Sequence, residues 1–585
     1  DIDIAGGFFG YFNAPAGRIH IGSTASAGEV ALDPSVADAA SFAQLGSVNL
    51  SDFAFFNVAA PGFNAGSIHI LGQNLDMRES TVLVADDGGR AFGFALGGET
   101  GGLIDIDVRD VARVSEGSVI DASATFGGRI EIDSGTFILE GADTTLSVFS
   151  LLENPGAGIE IVATGAVNSL LCPANICITD FATIQNIHLD TGQGAGISLQ
   201  GGDILIDGGS TIQTSSFGAG TGGDIAIDGD SVIIEFMDLT ADAQSLDGNT
   251  GSISITGNTI EIRDLAFIET LVAGNGAAGA ISFSGGNVSI TDNSLVGTQT
   301  FDPFSIGSPG SITIVADSLA LDQGSSIASD NVSAGAAGDI VIEVDSLIID
   351  SGGSVLASAS DPGFFALFGG PVGHGAGVNI ATGTATISNG GGIQTLTTGA
   401  GDAGNIALGA TQSIALQGIP GDPFSTLISS GSLAAPGNAG DITIDAPLGS
   451  LTVNDSAVNT QSLAGDLDDG SLGNAGSIAI SAMTVDFTDS VLSTATNGSG
   501  NAGNLTIDGG SDTLAGSVLF NNSAVETSTT GGGAAGNITL LVSDLTLSGG
   551  RMQAKTGADG DAGNILIIAD RLTLRDGAFL SNASE

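Results

Sequence analysis

Residues 309–336 read "PGSITIVADSLALDQGSSIASDNVSAGA", and this stretch decides the fold. Ile312 and Ile314 alternate with polar neighbours, Leu319 and Leu321 do the same, and Ile327 follows the Asp-Gln-Gly turn. Alternation of period two describes strands with one buried face. The Gly and Asp-x-Gly punctuation reads as turns that need positive φ. Three short strands therefore fit into 28 residues. The phrase then returns, as "AAGDIVIEVDSLIIDSGGSVLAS" at 336–358 and as "DAGNILIIADRLTLRDGAFLSN" at 561–582.

Taking the first apolar residue of each such phrase as a marker gives Ile19, Ile68, Ile104, Ile130, Ile159, Ile197, Ile225, Ile253, Ile281, Ile312, Ile340, Val378, Ile406, Ile442, Ile478, Leu505, Ile538 and Ile565. The intervals fall repeatedly at 27 or 28 and stretch elsewhere to as much as 49. A propeller blade needs about 40–50 residues, so this period is too short for one. It fits one turn of a β-solenoid whose inward residues stack from turn to turn. The expectation is an all-β parallel β-helix of about eighteen turns of 27–28 residues, a single solenoid over 1–585 with insertions at its corners. Ile312 should lie under Ile340, Leu321 under Ile349 and Ile327 under Val355. One turn alone leaves its backbone unpaired and its apolar face wet, which is why the phrase must recur. The opening "DIDIAGGFFGYFNAPAG" and the closing turn both lack a polar cap, so the chain reads as a section of a longer array.

Composition limits function. Acids number 65 against 11 bases, giving a formal charge of −54. Nucleic acid and anionic lipid both require basic residues, so neither is an expected partner. An apolar share of 42% is too high for a disordered acidic tail. The sequence holds no apolar run long enough to span a membrane. The first residues carry neither a basic n-region nor a cleavage site. Cys172 and Cys177 sit in "LLCPANICITD" with poor metal-site spacing. A small disulfide clipping a loop and two buried thiols are both open readings, and the disulfide is preferred.

The stretch "APAGRIHIGSTASAGEVAL" at 14–32, followed by many "GNAGDITI…LTVNDSAV" turns, resembles the filamentous-haemagglutinin-like exoproteins of two-partner secretion, in particular their long acidic cyanobacterial type. The repeat resemblance covers nearly the whole chain, and in that family the 14–32 stretch lies just downstream of the secretion domain. The resemblance implies a right-handed helix, export through an outer-membrane transporter, and an extracellular or cell-surface place. It also implies adhesion or a structural role. The Asn-Pro-Asn-Gly signature of the family's secretion domain is absent, since "ENPGAG" at 153–158 does not match it.

Parallel β-helices also host pectin-cleaving enzymes. His374 in "VGHGAG" resembles the Gly-His-Gly of polygalacturonases, but the Arg-x-Lys of that family has no counterpart, because the single lysine is Lys555 in "RMQAK". The other histidines, His20, His69 and His188, read as outward strand residues that never cluster. No Gly-x-Ser-x-Gly elbow with a matched histidine appears. The expectation is a protein that is not an enzyme. No cofactor is expected. Calcium is conceivable at "GDLDDGS" (465–471) and "ADGDAG" (558–563), but neither is a recognisable motif.

Aromatic insertions are where specific contacts are expected. Asp302-Pro303, Asp361-Pro362 and Asp422-Pro423 each precede a phenylalanine. Phe364, Phe365 and Phe368, with Phe304 and Phe424, are the candidate partner-binding residues. The alternative is that these rings fold back and cover the solenoid. Two functions follow: a surface adhesin or stalk that contacts a host, cell or matrix surface, or a structural component that assembles with copies of itself.

Overall fold

The computed structural model describes the chain apart from residues 8–10, 27–30, 34–35, 39–41, 61–62, 87–100, 152–156, 166, 168–171, 190, 246, 360–372, 400, 434–435, 464–472, 511–513, 558 and 585. Every regular element among the described residues is a strand of three or more residues, save for a single helical-turn residue at Gly7. The chain forms two compact units, Asp1–Gly285 and Gly286–Glu585. Each is a parallel β-solenoid.

In the first unit the markers form one unbroken column: Ile19, Ile68, Ile104, Ile130, Ile159, Ile197, Ile225 and Ile253 are successive partners in parallel register. In the second unit the column runs from Ile312 through Ile340, Val378, Ile406, Ile442, Ile478, Leu505 and Ile538 to Ile565. Leu321 pairs with Ile349 and Ile327 with Val355, as the period requires. Each regular turn carries a first strand beginning at the marker, a second that continues it around a shallow bend, and a third across the core. In several turns the first two fuse, as in Ile253–Arg263 and Ile340–Ile349. The bend is soft enough there for the hydrogen-bonded ladder to continue around it.

The opening residues fit this scheme. Ile2–Ala5 pairs with Val48–Ser51, and Tyr11–Asn13 pairs with Phe55–Asn57, so they are the second and third strands of a turn. The long interval from Ile19 to Ile68 carries an antiparallel hairpin, Ala31–Asp33 with Val36–Asp38. Insertions occur at every corner. That between the first and second strands of the turn starting at Ile159 is tied down by a disulfide joining Cys172 and Cys177. It sits on the outer face and, with Ala174, covers Ile138, which is buried although it points outward.

Glycine has two jobs here, and the sequence reading found only one. Positive φ is indeed needed between the second and third strands, as at Gly324, Gly352 and Gly390. The glycine two residues before the marker serves a different need. A Cβ built on Gly251, Gly440, Gly476, Gly503, Gly536 or Gly563 would fall less than 3.0 Å from the carbonyl oxygen of the residue one turn earlier. These positions lie outside the left-handed region and form a column in which successive backbones touch. From inside, Thr270, Thr395, Thr460, Thr494 and Thr527 each donate their hydroxyl to the carbonyl of such a glycine.

Outside the glycine column, side chains hydrogen-bond from turn to turn. Asp402 Oδ1 accepts both the backbone N–H and the side-chain amide of Asn438, each at 2.8 Å. Asn438 does the same for Asn474, and Asn474 accepts the backbone N–H of Asn501. A second ladder joins Asn405, Asp441, Ser477, Asn504, Asn537 and Asn564. These short polar side chains satisfy backbone donors that have no strand partner at the corner.

Candidate functional site

The candidate partner-binding residues divide by position. Phe364, Phe365 and Phe368 lie outside the described residues. Phe304 and Phe424 stand in turns built alike: the Asp302 and Asp422 carboxylates accept the Phe304 and Phe424 N–H at 2.9 and 3.1 Å, and Ser305 and Ser425 donate back to the aspartate carbonyls. Proline at the second position presets this turn. Both rings point to solvent, 77% and 54% exposed, rather than back onto the solenoid. They do not share a face. Phe304 follows a third strand, Leu295–Thr300, whereas Phe424 lies in the corner before the third strand Leu427–Leu433.

A more regular apolar feature was missed. The corner residue two before the third strand adopts the left-handed conformation in turn after turn, Ser425 before Leu427–Leu433 being an exception. In the second unit it is occupied by Asn293, Gly324, Gly352, Gly390, Asp455, Asp489, Asn522, Gly549 and Gly577. These are residue types that tolerate it. In the first unit the same slot holds Ser80, Gly117, Asp143 and Gly209 in four turns, but Phe53, Phe181, Phe236 and Leu265 in four others, at φ of 62°, 65°, 44° and 63°. All four side chains are exposed. Phe181, Phe236 and Leu265 fall within four successive turns, with Gly209 between the first two. Each bulky residue here costs about 1–2 kcal/mol in backbone conformation and returns little by burial.

The histidines correct a second expectation. His188 is not outward; it is 1% exposed, and its Nδ1 hydrogen-bonds with Ser150 Oγ at 2.9 Å. His20 and His69 do cluster. Their strands are neighbours in register, and the rings stack with centroids 4.7 Å apart and planes 5° apart. Burial, then the neighbouring His69 and Arg18, push the His20 imidazole below its ordinary pKa. On the other side His69 is the register partner of Asp105. His69 Nδ1 meets Asp105 Oδ2 at 2.9 Å, and His69 Nε2 meets Ser67 Oγ at 3.0 Å. A hydroxyl, an imidazole and a carboxylate are thus linked in series on the outer face of the first unit. The sequence signal was Ser-x-His followed one interval of 36 later by Asp in the histidine's slot, visible only once the register is applied.

The same two outward columns one and two turns further on hold different chemistry. Arg129 bridges Glu131 and Glu160, each at 2.6 Å. Around them Asp107, Glu131 and Asp133 are all pushed above the ordinary carboxylate range, first by burial and then by their acidic neighbours. Among the described residues no three His, Cys, Asp or Glu groups converge to hold a metal ion.

His374 lies on an exposed corner of the second unit, in line with the first polar ladder. Its Nδ1 accepts the Asp402 N–H at 3.1 Å, so it is an end-piece of that ladder. A shallow groove of about 500 Å³ runs beside it over Gly404 and Gly440, edged by Asp339, Asn438 and Asp441. Among the described residues no arginine or lysine lines this groove. Among the described residues no helix is long and apolar enough to cross a membrane. No family model, curated protein or solved structure matches the chain.

Proposed function

We propose that the chain is an extracellular display scaffold: an adhesin or stalk whose solenoid holds contact residues at its corners. The observation that carries this reading is the left-handed corner of the first unit. Phe53, Phe181, Phe236 and Leu265 are exposed where Gly, Asn or Asp would fold more easily, so they serve something other than folding. The Cys172–Cys177 disulfide supports an oxidising place outside the cytoplasm. The acidic surface supports solubility and disfavours nucleic acid as a partner. The resemblance of 14–32 and the repeats to two-partner-secretion exoproteins supports export by an outer-membrane transporter. Within this reading the scaffold cleaves no polysaccharide, since none of the described residues lining the groove beside His374 is an arginine or lysine that could stabilise an anionic sugar intermediate.

The second reading is lateral assembly with other copies, and the same row favours it, because exposed rings repeated along one corner can meet another such row. One variant separates the two. Replacing Phe181, Phe236 and Leu265 together by Asn should abolish binding to the target cell or matrix surface if the chain is an adhesin, with sedimentation unchanged. Loss of self-association in sedimentation velocity, with surface binding intact in the dissociated protein, selects assembly instead. If neither changes, the row serves neither role and the proposal falls. Protease treatment of intact cells tests the location: a chain that survives it unless the cells are lysed is not displayed.

A further inference from the structure

We infer that Ser67, His69 and Asp105 form a nucleophile, base and orienting carboxylate able to accept an acyl group from a neutral ester. This goes beyond the display reading and departs from the expectation of a chain without chemistry.

The geometry dictates the proton positions. An ionised carboxylate only accepts, so the 2.9 Å contact with Asp105 places the His69 proton on Nδ1. Nε2 is then the lone-pair nitrogen, and it faces Ser67 Oγ at 3.0 Å, within reach for proton transfer. This is the order that activates a serine. The strand supplies it: Ile68 and Ile70 anchor inward while Ser67 and His69 share the outer face. His69 is held on both sides, by the stacked His20 ring and by Asp105, and is only 8% exposed. Ser67 is half-buried, so its hydroxyl is reachable from solvent.

Two surrounding features narrow the substrate. The Ser67 N–H is committed to Gly17 O at 3.0 Å and cannot serve an oxyanion. The cation in register with Ser67 is Arg18, exposed on the adjacent strand, and we assign it that charge. Asp107, Glu131 and Asp133 make the remaining face negative. That field repels anionic substrates. The ester is therefore small and uncharged, and not a polyuronate.

The step balances. Ser67 Oγ bonds to the acyl carbon as its proton passes to His69 Nε2. The ester C–O bond breaks, and the departing alcohol takes that proton. Water then attacks the acyl carbon with His69 as base, releasing a carboxylic acid and restoring Ser67.

The test uses the full chain with a fluorophosphonate probe and with p-nitrophenyl acetate. Expected is a single probe adduct mapped to Ser67 by mass spectrometry and a nitrophenolate burst of about one equivalent. Ser67→Ala should abolish both. His69→Gln and Asp105→Asn should slow labelling of the folded protein roughly 100-fold. Arg18→Gln should slow ester turnover. Absence of an adduct at Ser67, or equal labelling rates in the parent and His69→Gln, overturns the proposal. If His69→Gln fails to fold, Ser67→Ala decides alone, since a burst that persists in it has another origin.

Discussion

Thr214 and Thr494 occupy the same inward slot of the third strand, yet their hydroxyls meet different fates. Thr494 Oγ1 donates to the Gly503 carbonyl at 2.6 Å, whereas Thr214 Oγ1 is buried with no hydrogen-bond partner. Valine has the same shape without the hydroxyl. Thr494→Val should therefore lower stability by about 1 kcal/mol, while Thr214→Val should leave it unchanged or raise it. Urea midpoints compare them directly, and equal losses at both sites would refute the assignment. Glycine gives a second pair. Gly476→Ala drives a Cβ into the Gly440 carbonyl and should cost about 1–3 kcal/mol. Gly409, inside a strand, has its nearest neighbour 3.8 Å from the new Cβ, so Gly409→Ala should be neutral or stabilising by up to about 1 kcal/mol. Neither contrast was legible in the sequence. Glycine's appetite for turns is a local property, whereas the close approach of Gly476 to Gly440 belongs to residues 36 apart. The Ser67, His69 and Asp105 series was hidden for the same reason.

At the scale of a strand and its corner, the period carries most of the information. A one-residue slip would turn every inward isoleucine outward, so the marker column fixes register throughout each unit. That is why Ile312, Leu321 and Ile327 found their partners from spacing alone. Corners are less constrained, because the period says where a corner lies but not which conformation it takes. The sequence reading accordingly singled out Phe304 and Phe424 by their Asp-Pro turns and passed over Phe181, Phe236 and Leu265, which look like ordinary strand residues until their φ angles are seen. These corners carry a prediction of their own. Phe181→Asn should not lower the melting temperature, because asparagine relieves the left-handed strain while little buried area is lost. A drop of several degrees would mean that the ring's cover over Gly209, where a Cβ would meet it, contributes more than the strain costs.

For the whole molecule the governing quantity is charge. Sixty-five acids against 11 bases repel one another in any compact state, so added salt should raise the melting temperature at pH 7 by screening. The pH dependence follows from the carboxyls whose environment is known. Asp107, Glu131, Asp133 and Glu269 are all raised above their ordinary values of 3.8 or 4.5, in every case first by burial. An acid that binds its proton more tightly when folded adds stability as the pH falls through its raised value. The gain is complete below the ordinary value and absent at neutral pH. Asp350 works the other way. Hydrogen bonds led by that from Ser388 hold it below 3.8, so its stabilisation is present at neutral pH and lost only on further acidification through that lowered value. Between pH 7 and about 4.5 the raised group therefore governs, and the protein should melt at a higher temperature at pH 5 than at pH 7 in low salt. Replacing Asp107 and Asp133 together by Asn should flatten this difference, since the cost of burying their charge, and their repulsion, are then absent at every pH. Circular dichroism melts of the parent and the double variant at the two pH values test the argument. A parent that melts lower at pH 5 would refute the argument, because acids held low like Asp350 are still ionised there and the raised carboxyls can only add stability.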